Sequence, residues 1–149
     1  MFSAIYIEEE VRNWHRVQEI IQPFADMPKI ICERYGEIFN NTNQNFRIQK
    51  KAPALILAKK YGNLVLPSPT GYGFEGGKSF YFSHMLNCIY DCRYCFLQGM
   101  YRSANYVLFV NYDDFESQMT WRPSLFSPSK IGAEQVYCIV FFIHSFEIR

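Results

Sequence analysis

The chain has 149 residues, enough for one domain with a substantial core, and 49% of them are hydrophobic. Its net charge of +1 says little about partners, although Arg47, Lys50, Lys51, Lys59 and Lys60 lie close enough in sequence to form a local basic face. The N-terminus turns acidic before any apolar run of signal-peptide length, and the longest apolar run, 136–143, is too short for a bilayer span, so no membrane segment and a cytoplasmic, thiol-reducing location are expected. Aromatic content is high at 18%, which suits cores and stacking surfaces alike.

Residues 4–7 are expected to form a short strand. Val11, Trp14, Val17, Ile20 and Ile21 then recur at helical spacing, the acids at 8–10 suit the positive end of a helix dipole, and Pro23 marks the exit. Trp14 falls on the apolar face of that helix and His15 on the solvated one. Residues 30–35 read as a strand, 40–45 as a polar turn, and Cys32, far from the other thiols, as a buried small residue. Two double-lysine steps flank the apolar run 54–58, which reads as another strand; lysines there protect strand ends, and phosphate contact is the sharper reading.

Leu64-Val-Leu66 leads toward a hairpin, and 67–77 is a connector rich in Pro and Gly without G-x-G-x-x-G spacing. Residues 79–84 read as the strand that delivers a cysteine loop, 105–111 as a second strand, and 112–119 as a helix with acids in its first turn. Strand, loop, helix and strand in this order predict a parallel α/β layout, with functional loops at the carboxyl ends of the strands.

Cys88-Ile-Tyr-Asp-Cys92-Arg-Tyr-Cys95 puts three thiols into eight residues. Closely spaced thiolates on one loop can meet three corners of a cubane iron–sulfur cluster and leave one iron open to chelate a small molecule through an amine and a carboxylate. Zinc is an alternative: Cys92 and Cys95 form one C-x-x-C pair, and His84, four residues before Cys88, is a candidate fourth ligand. Disulfides are a third reading, one that leaves a thiol of the loop unpaired.

The C-x-x-x-C-x-x-C spacing, with Tyr94 before the last cysteine, resembles radical S-adenosylmethionine (radical SAM) enzymes. Cys32-Glu-Arg-Tyr-Gly-Glu-Ile-Phe39, Gln49-Lys-Lys-Ala-Pro-Ala-Leu-Ile-Leu-Ala-Lys59, the stretch 80–100 and Tyr106-Val-Leu-Phe-Val-Asn111 together resemble the spore photoproduct lyase family within that group, over residues 5–118. The resemblance implies an incomplete radical SAM partial (β/α) barrel preceded by a small α/β extension: 1–77 the extension, 78–119 the start of the barrel with the cluster loop, 120–149 a tail of unassigned fold. It implies a 4Fe-4S cluster held by Cys88, Cys92 and Cys95, with S-adenosyl-L-methionine on the open iron. A reductant such as flavodoxin or ferredoxin would supply an electron that cleaves the sulfonium bond. The deoxyadenosyl radical would then remove hydrogen from a thymine photoproduct in damaged DNA, the reaction of a carbon–carbon lyase. A crosslinked dinucleotide stacks and pairs poorly, which lowers the cost of extruding it.

In that family a tyrosine on either side of the third cysteine returns hydrogen to the product together with a downstream cysteine. Tyr94 stands at the first of these positions and is the candidate radical relay; Phe96 stands at the second and has no O–H. Cys138 lies about where the downstream donor would, within Val136-Tyr-Cys-Ile-Val-Phe-Phe-Ile143, a context unlike the family's that reads by default as core. From Thr120 onward the resemblance fades, and Phe141-Phe-Ile-His-Ser145 replaces the polar turn expected to help hold the methionine moiety. The chain therefore reads as the N-terminal piece of such an enzyme. A radical SAM enzyme with a non-DNA substrate, or a non-catalytic iron–sulfur or zinc-binding fragment, are the alternatives.

Overall fold

The computed structural model of the chain describes residues 2–39, 42, 44–67, 79–90, 94, 100–120 and 137–140. Its strands in chain order are β1 (Ile5–Glu8), β2 (Lys29–Cys32), β3 (Leu55–Ala58), β4 (Val65–Pro67), β5 (Ser79–Phe82), β6 (Met85–Leu86), β7 (Tyr106–Phe109) and β8 (Tyr137–Val140). The helices are α1 (His15–Ile21), α2 (Phe46–Gln49) and α3 (Tyr112–Thr120). The chain divides into two compact units, Met1–Lys60 with His84–Val110, and Tyr61–Ser83 with Asn111–Arg149, so both units draw on residues from either side of position 77.

The first unit is built on a five-stranded sheet of order β2-β1-β3-β7-β6. A strand covered on both faces needs no polar alternation, and β3 has none: all of its residues are buried. β1 and β7 flank it in parallel, with Ile5 and Tyr106 both opposite Leu55, and β2 extends the parallel set beyond β1. Only β6 reverses direction, Met85 facing Leu108 and Leu86 facing Val107. This is an α/β fold with a mostly parallel sheet, as the alternation of elements predicts. Among the described residues the strands form two open sheets and no closed barrel.

The first crossover departs from the single helix expected over 11–21. Glu9–Val11 is a 3-10 turn, Trp14 is extended (φ −72, ψ 136), and only His15–Ile21 is α-helical. The apolar period is still used, because Val11 and Val17 are completely buried. A seven-residue helix is held by such packing rather than by its own cooperativity. Trp14 is half-buried, and the His15 side chain is exposed beside Glu19 at 3.5 Å. In the second crossover the Asn45 side chain caps α2 by accepting from Ile48 N at 3.2 Å.

In the second unit β5 pairs antiparallel with β4 and parallel with β8, in the order β4-β5-β8. Phe82 of β5 packs against Phe115 of α3, ring centroids 5.7 Å apart. Gln118 of α3 accepts from Leu64 N at 2.9 Å and donates to Gly62 O at 3.1 Å, which fixes the turn before β4 at a glycine with φ +82. Asp113 and Asp114 occupy the first turn of α3, as its sequence predicts. Of the expected turn-rich connector at 67–77, all but Pro67 lies outside the described residues, as does the 141–145 segment. Among the described residues no helix is long and apolar enough to cross a membrane.

Candidate functional site

The base of the cysteine loop is well defined. β6 and β7 are antiparallel, so the chain that leaves after Leu86 returns before Tyr106 at the same end of the sheet. Because β7 runs parallel to β3 and β1, that end is the amino end of the parallel strands. The sequence predicts the opposite end, reading 79–84 as one strand that leads straight into the loop. β5 instead ends at Phe82, and the loop is entered from β6, a two-residue strand antiparallel to β7 and too short to be visible as a pattern.

Asn87 closes this base. It holds a left-handed backbone (φ 64), which asparagine tolerates better than most residues, and its Nδ2 donates to Ser103 O at 2.6 Å and Asn105 O at 2.7 Å. The return strand is anchored by buried polar groups: Asn105 N donates to Ser103 Oγ at 3.2 Å, and Asn105 Oδ1 accepts from Ala54 N at 3.0 Å. Gln49 Oε1 of α2 accepts from Ala104 N at 3.0 Å. Each such bond contributes about 1 kcal/mol net, and losing one partner inside the protein costs more. Tyr101, on the returning segment, packs edge-on to Phe39 at 5.0 Å, and burial followed by the neighbouring Tyr35 pushes its hydroxyl pKa up.

Cys88 follows Asn87 directly and is a free, half-buried thiol. Cys92 and Cys95 lie outside the described residues, as does Phe96. Tyr94 is described and is 93% exposed; Ile89 and Tyr90, in the same loop, are exposed as well. Cys138 sits in β8 opposite Phe80, in the second unit. The donor set fits the implied cluster: thiols are its ordinary ligands, and the first of them is free at a backbone position fixed by hydrogen bonds.

His84 and Cys88 stand at opposite ends of β6. The His84 carbonyl accepts from Phe109 N at 2.8 Å, at the carboxyl end of β7, whereas Asn87 reaches Asn105 at the amino end. Among the described residues no group of three His, Cys, Asp or Glu side chains surrounds His84. Burial, and then Lys60, lower the pKa of its ring.

The carboxyl end of the parallel sheet carries a residue that sequence reasoning missed. Glu8 is 1% exposed, and its carboxylate accepts from Tyr35 N at 2.8 Å and Lys59 N at 2.9 Å. In a sheet of order 2-1-3 the strand order reverses between β1 and β3, where open α/β folds usually admit ligands. Here the protein's own carboxylate fills that position and joins three segments. Lys59 Nζ pairs with Glu10 at 2.6 Å and lies 5.8 Å from the centroid of the Trp14 ring. Lys60 lies over Phe109 at 5.5 Å, and burial lowers its pKa. Cys32 is buried, as expected, and its thiol is pushed up to about 11, first by burial and then by the negative charges of Glu8 and Glu37.

The basic residues grouped in sequence thus separate in space. Arg47, Lys50 and Lys51 are exposed before β3, at the end of the sheet where the cysteine loop is anchored, while Lys59 and Lys60 follow β3 at the other end. Comparison of the chain with family models, curated proteins and solved structures finds no match.

Proposed function

We propose that the chain carries the cluster-binding part of a radical SAM lyase similar to spore photoproduct lyase, acting on thymine photoproducts in DNA. The observation that carries this reading is the C-x-x-x-C-x-x-C spacing beginning at Cys88, on a loop whose two ends Asn87 ties together. On this reading 1–77 is the α/β extension and 78–119 the start of a partial barrel, whose β6 and β7 join the sheet of β1, β2 and β3.

When bound, a 4Fe-4S cluster supplies the electron for reductive cleavage of S-adenosylmethionine. The chain's own part is to present Cys88, Cys92 and Cys95 on one loop and to hold its ends at a fixed separation. Tyr94, exposed and one residue before Cys95 in sequence, carries the O–H of the proposed relay. Reduction of the chain after anaerobic loading with iron and sulfide should release deoxyadenosine from S-adenosylmethionine, and Cys88→Ala should abolish the release. Tight stoichiometric zinc with no iron uptake would rule the reading out.

Phe96, in place of a second tyrosine, favours one other reading, a radical SAM enzyme with a non-DNA substrate. Deoxyadenosine release that no photoproduct-containing oligonucleotide accelerates would select it.

A further inference from the structure

β2 is one edge of the five-stranded sheet, with β1 on one side of it and, among the described residues, no strand on the other. Ile5 N donates to Pro28 O at 2.9 Å, and backbone groups alternate sides along a strand, so Ile30 and Cys32 turn theirs toward β1. Lys29 and Ile31 therefore turn their N–H and C=O groups outward. Ile30 and Ile31, adjacent and so on opposite faces of the sheet, are each 41% exposed. A mostly parallel sheet ordinarily has both faces covered, and at β2 both are partly bare. An open edge with apolar side chains on both faces is a template for another strand.

We propose that β2 pairs with β2 of a second copy of this chain, antiparallel about a two-fold axis, and joins the two five-stranded sheets edge to edge in a weak homodimer. Outward-facing groups must meet outward-facing groups, which makes the axis pass through a residue rather than between two. An axis at Lys29 opposes two ammonium groups, one at Ile30 sets each Lys29 against an isoleucine, and one at Cys32 runs Lys29 into the 3-10 turn Tyr35–Glu37. An axis at Ile31 stacks Ile31 on itself and puts each Lys29 opposite the second copy's Glu33, the exposed residue that follows β2. The charges therefore choose Ile31. Lys29 Nζ donates to Phe24 O at 3.0 Å, Ala25 O at 2.9 Å and Met27 O at 3.5 Å, carbonyls that hold it beside the strand without cancelling its charge. A lysine on a bare edge normally resists pairing; here the two-fold register answers it with a carboxylate. That match lies within the chain's own sequence, which favours a second copy over a foreign peptide. Two four-residue strands bury far less than the roughly 1,200 Å² of a lasting interface, so the dimer forms at high concentration only. The pairing uses no residue of the cysteine loop and does not rest on the proposed function.

The test is sedimentation equilibrium of the full chain over a concentration series. The parent chain should pass from monomer to dimer and stop there. Glu33→Lys alone, or Lys29→Glu alone, sets like charges opposite each other at both symmetric positions and should weaken the dimer about tenfold, since each cross-strand charge pair contributes a factor of a few. An equal mixture of these two variants restores both opposite pairs and should recover association to within roughly threefold of the parent. Ile31→Lys puts two ammonium groups on the axis and should remove the dimer. An unchanged thermal transition separates lost pairing from lost folding, and the mixture separates them again, because two misfolded chains do not rescue each other. A parent chain still monomeric at millimolar concentration overturns the proposal, as does a dimer that Ile31→Lys leaves intact, or single variants that associate as tightly as their mixture. Association that continues past the dimer also overturns it, since a two-fold pair closes on itself and head-to-tail contact does not.

Discussion

Asn87 does two jobs with one side chain, and the two can be separated by substitution. Asn87→Gly keeps the left-handed backbone but removes both hydrogen bonds across the loop base, which should cost about 1–3 kcal/mol. Asn87→Asp retains the shape and turns an acceptor-only carboxylate toward two carbonyl oxygens, so it should cost more than the glycine. Urea denaturation orders the two, and equal midpoints would contradict the clamp. Cys32 offers a test through pH. Its folded-state pKa, about 11, lies above the ordinary 9.0, so the folded chain holds the proton more tightly. That contribution is complete below pH 9.0 and is lost as pH rises through about 11. Stability should fall over this window, and Cys32→Ala should flatten the fall; parallel curves for the two proteins would show that Cys32 does not contribute.

β3 was the element most legible in sequence, because a strand buried on both faces shows as an uninterrupted apolar run. Leu57→Ala at its centre should cost about 2–5 kcal/mol by chemical denaturation, and a cost below 1 kcal/mol would place the core elsewhere. β7 and α3 were legible for equally local reasons, an apolar run and acids in a first turn. β6 was not: two residues carry no period, and its reversal is decided by pairing with β7, a partner about twenty residues away. That reversal moved the cysteine loop from the expected end of the sheet to the other. Glu8 was hidden for a related reason, since Ile7 and Glu8 are adjacent and both buried, and no alternation distinguishes the carboxylate from the acids after it. The five basic residues looked like one patch in sequence because the strand that separates them is only four residues long.

At the scale of the whole molecule, the two units are interleaved: the chain leaves the first after Lys60, returns to it at His84 and leaves again after Val110. The base of the cysteine loop and its Asn87 clamp belong to the first unit, while Cys138 belongs to the second. The thiol spacing was readable from sequence alone; the anchor of the loop and its neighbour α2 were not, because both depend on side chains reaching across long stretches of chain. The central claim is that Cys88, Cys92 and Cys95 together hold one iron–sulfur cluster. Its most direct test is the iron content of the anaerobically loaded chain beside the three single Cys→Ala variants. The account predicts about four irons per chain in the parent protein and a severe loss in every variant; iron content near zero in the parent, or unchanged when any one of the three cysteines is replaced, would contradict it.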